Sequence, residues 1–185
     1  ASFPWLAVAY HIPEAAHDDI PVLELIGNIL TSGRSSRLHR KVIYEDQSPL
    51  SVFASVDNNK APGLFVITVN SIKQGHALEE LESVANESLE LLKAEMVTER
   101  ELEKAINQME TNLIFGLQTN FVKGMRIGFS LARTGEPLGF VKKLESYRHA
   151  TVEDIQKVAI KYFTPENRTI IRLIPKGNSE VPTTK

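Results

Sequence analysis

The chain has 185 residues, 42% of them hydrophobic and 24% charged, with a formal net charge of −2. This suits one domain with a sizeable core and excludes a disordered or low-complexity segment. The near-neutral balance gives no footprint for nucleic acid or an anionic membrane. No apolar run approaches the roughly 20 residues of a membrane-spanning helix. Without cysteine there are no disulfides or thiolate metal sites, and the compartment stays open between cytoplasm and periplasm.

Trp5–His11 predicts a strand, apolar enough to be buried on both faces. Asp18 or Asp19 can cap a helix with Pro21 in its first turn, in which Val22, Leu25, Ile26, Ile29 and Leu30 recur at helical spacing. Gly33 ends it. Ser35 or Ser36 can cap a second helix through Leu38, Val42 and Ile43, stopping before Pro49. Leu50–Val56 and Gly63–Ile72 predict a strand pair joined by the turn-rich Asp57–Pro62.

An amphipathic helix follows over Ala77–Glu95, with Leu78, Leu81, Val84, Ala85, Leu89 and Leu92 on one stripe. Thr98-Glu-Arg-Glu101 is a capping box that opens a long helical stretch through Leu113. The pattern continues over Phe115–Arg133, but Gly116, Gly124 and Gly128 interrupt it, and a break or bend is expected near 116–120. After the turn Gly135-Glu-Pro137 come a short helix over Phe140–His149, another capped by Thr151-Val-Glu-Asp154, and a closing strand over Arg168–Ile174. Residues 1–175 are expected to form one domain, and 176–185 a polar tail. The order β-α-α-β-β-α-α-α-α-β argues for an α+β fold in two layers, a mostly antiparallel sheet packed against helices.

Chemistry-bearing residues are sparse. A zinc-protease helix places two histidines at i and i+4 so that both imidazoles meet one ion. His11 and His17 are six apart with Pro13 between them, and His39, His76 and His149 are scattered. No G-x-S-x-G elbow surrounds Ser35, Ser36 or Ser51. The Gly33-Arg-Ser-Ser turn lacks the pattern of a phosphate loop and is expected to join two packed helices. Gly124-Met-Arg-Ile-Gly128 has the small-residue spacing of close helix packing. Glu79, Glu80, Glu82, Glu87 and Glu90 are expected on a solvated helix face.

Taken in order, several stretches resemble one half-domain of the M16 zinc metallopeptidases, the pitrilysin, insulinase and processing-peptidase family. They are Tyr10-His-Ile-Pro13 with Asp18-Asp19, Leu30-x-x-Gly33-Arg-Ser-Ser-Arg-Leu38, Ser51-Val-Phe-Ala-Ser55, Thr98-Glu-Arg-Glu-Leu102, and Thr151-Val-Glu-Asp-Ile155 with Tyr162-Phe-Thr-Pro165 and Ile174-Pro175. The resemblance implies the M16, LuxS-like metallohydrolase half-domain fold, of bacterial type. One half of such a peptidase carries H-x-x-E-H, and a second half of the same fold lacks it and closes over the substrate. This chain resembles the second, C-terminal kind.

What the resemblance implies follows from that. The chain itself holds no catalytic residue, metal or cofactor, and zinc is expected in the partner half. The implied partners are the H-x-x-E-H half, from the same parent chain or a separate subunit, and a peptide substrate. The chain begins at Ala1 and enters a strand almost at once, which suggests a piece of a longer protein. An excised half would expose its docking surface, on which a homodimer is the alternative occupant. Many family members place an Arg and, seven residues on, a Tyr against substrate, but this chain has Ile43 and Leu50 there. Tyr44 and Arg40 are out of register for that role. Arg34, Ser35, Arg37 and Tyr44 are the candidate interface or substrate-facing residues. A structural or assembly subunit of the same fold, with no peptidase role, is the alternative function.

Overall fold

The computed structural model describes residues 5–40, 50–71 and 78–174. Strand β1 (Trp5–Ile12) lies between β3 (Gly63–Ser71) and β4 (Arg168–Leu173), and β2 (Leu50–Asp57) pairs with the far side of β3. The sheet order is β2-β3-β1-β4, and every neighbouring pair is antiparallel.

Alternation sorts the strand side chains by face. Leu6, Val8, Tyr10 and Ile12 of β1 join Phe65, Ile67 and Val69 of β3 in a core shared with the helices. On the opposite face one row runs Phe53, Thr68, Ala7, Ile171 across all four strands. Phe53 is 60% exposed and Ile171 51%, so that face is uncovered. Ala7 and Ala9 are buried on it because they are short and flanked by strands on both sides.

Helix α1 (Asp19–Thr31) lies on the sheet and buries Ile20, Leu23, Leu25, Ile26, Ile29 and Leu30. Neither aspartate caps it. Asp18 occupies the N-cap position without a side-chain bond, and the Asp19 N–H donates to His17 Nδ1 at 3.0 Å. The imidazole takes the capping role because the Asp19 carboxylate is drawn to α7, described below. After Gly33, in the left-handed region at φ +80°, comes a single helical turn, α2 (Arg37–His39). Its expected continuation through Val42 and Ile43 lies outside the described residues.

Helices α3 (Leu78–Ala94), α4 (Glu99–Gly116), α5 (Asn120–Thr134), α6 (Gly139–His149) and α7 (Val152–Tyr162) follow the hairpin. Both expected threonine capping boxes form, Thr98 with Glu101 and Thr151 with Asp154. Of the break or bend expected at 116–120, the structure has the break. Helix α4 ends at Gly116, with Leu117 as its C-cap, and the Thr119 hydroxyl accepts from Val122 N–H at 3.3 Å to start α5, so among the described residues five helices rather than four separate β3 from β4. Phe163, just past α7, pins that helix to the sheet. Its ring lies 5.1 Å from Tyr10 edge-on and 4.8 Å from Phe65, centroid to centroid. The result is two layers, α+β, with all the core on one side of the sheet.

Two glycines set tolerances that a melting experiment can read. A Cβ at Gly63 would lie 1.9 Å from the Asp57 carbonyl oxygen, so the hairpin closes only with glycine there. At Gly27 a Cβ would sit 3.7 Å from Ala54 and from the Phe65 ring, an ordinary contact. Gly63→Ala should therefore cost about 1–3 kcal/mol and lower the melting temperature by at least about 2 °C. Gly27→Ala should be neutral or stabilising, by up to about 1 kcal/mol of helix propensity. Equal losses for both substitutions would contradict this account.

Candidate functional site

The Gly33 turn is held from one side by α4. The Ser36 hydroxyl donates back to the Gly33 carbonyl at 2.8 Å instead of capping α2. Arg37 grips Glu101 with two parallel bonds, Nε to Oε1 at 2.8 Å and Nη2 to Oε2 at 3.0 Å. The Ser35 hydroxyl accepts from Lys104 Nζ at 2.7 Å. Glu101 also receives the Thr98 backbone N–H at 2.8 Å, so one carboxylate caps α4 and clamps α2. The Arg37 guanidinium, opposed by partial burial, holds the Glu101 carboxyl down at about 2.

The sequence-derived candidates thus separate. Arg37 is committed within the chain, although its Nη1 is buried with no hydrogen-bond partner. Ser35 is exposed but engaged by Lys104. Arg34 is exposed, with no partner among the described residues. Tyr44 and Ile43 lie outside the described residues, and Leu50 begins β2. A cleft of about 320 Å³ opens beside the turn, lined among others by Ser35, Arg37, Arg40 and Leu91.

The described histidines do not form a zinc site. His11 is exposed at the end of β1. His17 spends its Nδ1 lone pair on the Asp19 N–H, and His149 Nδ1 lies 2.7 Å from the Glu145 carbonyl. Among the described residues no group of three or more His, Asp or Glu side chains could hold a metal ion. No helix searched among them is long and apolar enough to cross a membrane.

Helix α5 is more informative than the turn. Phe121, Met125 and Leu131 stand on its outer side, 75%, 43% and 51% exposed. Gly124 and Gly128 lie between them on the same side. A Cβ at either glycine would meet nothing within 4 Å. The close packing that their spacing predicts is therefore absent among the described residues. The sequence carried the signal, an apolar stripe with two small residues, but helical periodicity cannot say whether a stripe faces the chain's own core or something else.

Residues 1–109 match the family model of the M16 peptidase inactive domain. The chain belongs to the M16 peptidase family. Two curated zinc proteases are similar to this M16 domain. Uncharacterized zinc protease YmxG of Bacillus subtilis is 25% identical over 89% of the chain, and zinc protease PqqE of Helicobacter pylori 26% over 92%. The domain spans only 40% and 38% of their lengths. A crystal structure of a candidate zinc protease from Bordetella pertussis Tohama I superposes with a TM-score of 0.83 at 27% identity. There 94% of this chain matches 95% of that one. The fold is that of the M16 inactive domain, and a relative of the same extent stands as a crystallised chain.

The pieces of this M16 domain are joined by two carboxylates on α1. Glu24 accepts from Asn58 Nδ2 at 2.7 Å, from Lys143 Nζ at 2.9 Å and from the Tyr147 hydroxyl. Burial, and then the adjacent Glu24 charge, pushes the Tyr147 phenol up, so it stays a donor. Asp19 accepts from Lys161 Nζ at 2.6 Å and the Tyr162 hydroxyl at 2.7 Å. Burial would raise its carboxyl, but those two bonds outweigh that and hold it lower than usual.

The Glu101 clamp makes stability depend on pH in a defined window. Its folded-state pKa, about 2, lies below the ordinary 4.5. The folded chain then binds fewer protons than the unfolded one between those values, so the contribution is complete above 4.5 and fades as pH falls toward 2. Glu101→Gln should be less stable than the native domain at pH 7. The gap should narrow as denaturation is repeated below pH 4.5, and a gap unchanged down to pH 2 would exclude the clamp as its source.

Proposed function

We propose that this domain is the non-catalytic half of an M16-type zinc peptidase. It pairs with a zinc-bearing H-x-x-E-H half, and the two together enclose and position a peptide. The observation that carries the reading is the outer side of α5, an apolar stripe open to solvent in a domain about two-fifths the length of the zinc proteases it resembles. Contiguous exposed apolar surface of this kind marks an interaction site. Burying each large apolar side chain is worth about 1.5–3 kcal/mol, and glycines at 124 and 128 allow a partner backbone to approach closely. The uncovered sheet face with Phe53 and Ile171 is a second apolar surface of the same sort.

In this reading the zinc, its water and the general base all belong to the other half. The described histidines of this chain do not fit a zinc ion, so it contributes walls and contacts. Arg34 and Ser35 remain candidates for contacts at the edge of the chamber, and the zinc half is its expected partner.

The test exploits a separation between folding and docking. Because nothing occupies the space around Gly124 and Gly128, Gly124→Leu and Gly128→Leu should keep the fold and gain up to about 1 kcal/mol each in helix propensity. The same changes should abolish co-purification with an H-x-x-E-H half encoded in the parent gene or beside it. The native domain should co-purify with that half and show no peptide hydrolysis alone in zinc-supplemented buffer. Robust turnover by the isolated domain would overturn the proposal. So would a complex indifferent to both leucines. A parent without any H-x-x-E-H partner would favour a scaffold subunit.

A further inference from the structure

We propose that the cleft between α5 and α6 binds an acidic peptide segment, with Arg126 and Arg133 receiving two of its carboxylates. The inference rests on the peptide-enclosing role for its setting, while its chemistry concerns this chain alone. The cleft holds about 450 Å³ and is bounded by the approach to α1, the inner side of α5 and the first turns of α6. A volume of that size is typical of a ligand site.

The charges around it resolve one by one. Lys142 is paired with Glu136 at 2.6 Å and Lys143 with Glu24 at 2.9 Å. His17 has its Nδ1 engaged by the Asp19 N–H. Asp18 is an exposed acid at the rim. Arg126 and Arg133 are left without a carboxylate among the described residues.

Arg126 is half-buried, and its Nε is buried with no hydrogen-bond partner. Its guanidinium lies against Gly116, where a Cβ would stand 2.6 Å from Nη2. Among the described residues Arg133 reaches only Asn58 Oδ1, at 3.4 Å, and its guanidinium carbon stands 5.5 Å from the Phe129 ring centroid. Asn58 is itself buried and fixed by its bond to Glu24, so its oxygen is held toward Arg133. A buried guanidinium N–H without an acceptor, as at Arg126 Nε, is costly, and a ligand carboxylate would supply what the chain omits there and at the exposed Arg133.

The spacing selects the ligand. Arg126 and Arg133 are seven residues apart on one side of α5, two turns or roughly 10 Å along the axis. A peptide in the polyproline II conformation has three residues per turn and advances about 3.1 Å per residue, so acids three positions apart lie on one side roughly 9 Å apart and match the two arginines. Phe129 and Phe140 line the cleft with them and suit an apolar residue between the acids. A single small oxyanion would meet one arginine at most.

The test is fluorescence anisotropy on the 185-residue chain without a partner half, so failure to pair cannot be mistaken for failure to bind. The probe is a labelled peptide with Glu-Phe-Ala-Glu at its centre, and the control carries Gln-Phe-Ala-Gln. The glutamate peptide should bind roughly tenfold tighter or better, the loss expected when a charged hydrogen bond becomes neutral, and should weaken with added salt. Arg133→Gln is an exposed change that leaves the fold, and it should weaken binding by a similar factor. Arg126→Lys keeps the charge, loses the fork and should weaken it less. Equal binding of both peptides, indifference to Arg133→Gln, or no binding of the glutamate peptide would overturn the proposal. Displacement by inorganic phosphate at the peptide's own concentration would reduce the cleft to a simple anion site and equally overturn it.

Discussion

The structure turns on α1, which carries two kinds of contact on one helix. Its apolar side covers the sheet through Leu23, Ile26 and Leu30. Its two carboxylates, Asp19 and Glu24, reach the other way, to α7 and to α6 with the β2–β3 turn. A partly buried carboxylate with two or three donors is worth more than an exposed ion pair, and removing Glu24 would leave the buried Tyr147 hydroxyl and Asn58 amide short of an acceptor. These two acids fix where α6 and α7 lie. Helix α5 has little else to stand on. It meets α6, and the Ser130 hydroxyl ties it to the Glu136 carbonyl at 2.7 Å. The outer stripe and the inner cleft therefore both depend on Glu24, a residue outside the stripe and outside the cleft lining.

How far the sequence was legible follows from how local each interaction is. Capping boxes at Thr98 and Thr151 involve residues three apart, and both are where the pattern places them. The strand pair and the break after Gly116 are likewise short-range features of turn and glycine chemistry. The start of α1 was misread for a long-range reason. Asp19 is a good cap by type, but Lys161 and Tyr162, more than 140 positions away, bind it from α7, and His17 takes its place. Arg37 shows the same limit. It stands in a polar turn, and its partner Glu101, 64 positions on, turns an apparent surface arginine into a clamp.

Site residues were the less legible part. The Gly33 turn carries much of the family resemblance, yet its polar groups largely bind one another and α4. Helix α5 looked like an ordinary amphipathic helix broken by glycines. Only the fold shows which residues take which side, with Phe121, Met125 and Leu131 open to solvent and the polar Arg126, Ser130 and Arg133 lining the cleft. A half-buried Arg126 on the same helix as a Phe121 that is 75% exposed is the reverse of what burial preferences predict. Nothing in a single sequence separates that inversion from noise.

That inversion has a physical consequence for how the domain can work. A helix whose apolar side faces solvent is held here by its polar side, where the Ser130 hydroxyl donates to the Glu136 carbonyl in the turn before α6. Covering the outer side with another half removes apolar area from water without asking α5 to move. Filling the inner cleft satisfies two arginines without disturbing the outer side. The two surfaces are coupled through one rigid helix but draw on different forces, one hydrophobic and insensitive to salt, the other ionic and screened within about 10 Å at moderate ionic strength. Neither surface uses a catalytic residue, so both fit the proposed role of a wall that leaves bond cleavage to another half.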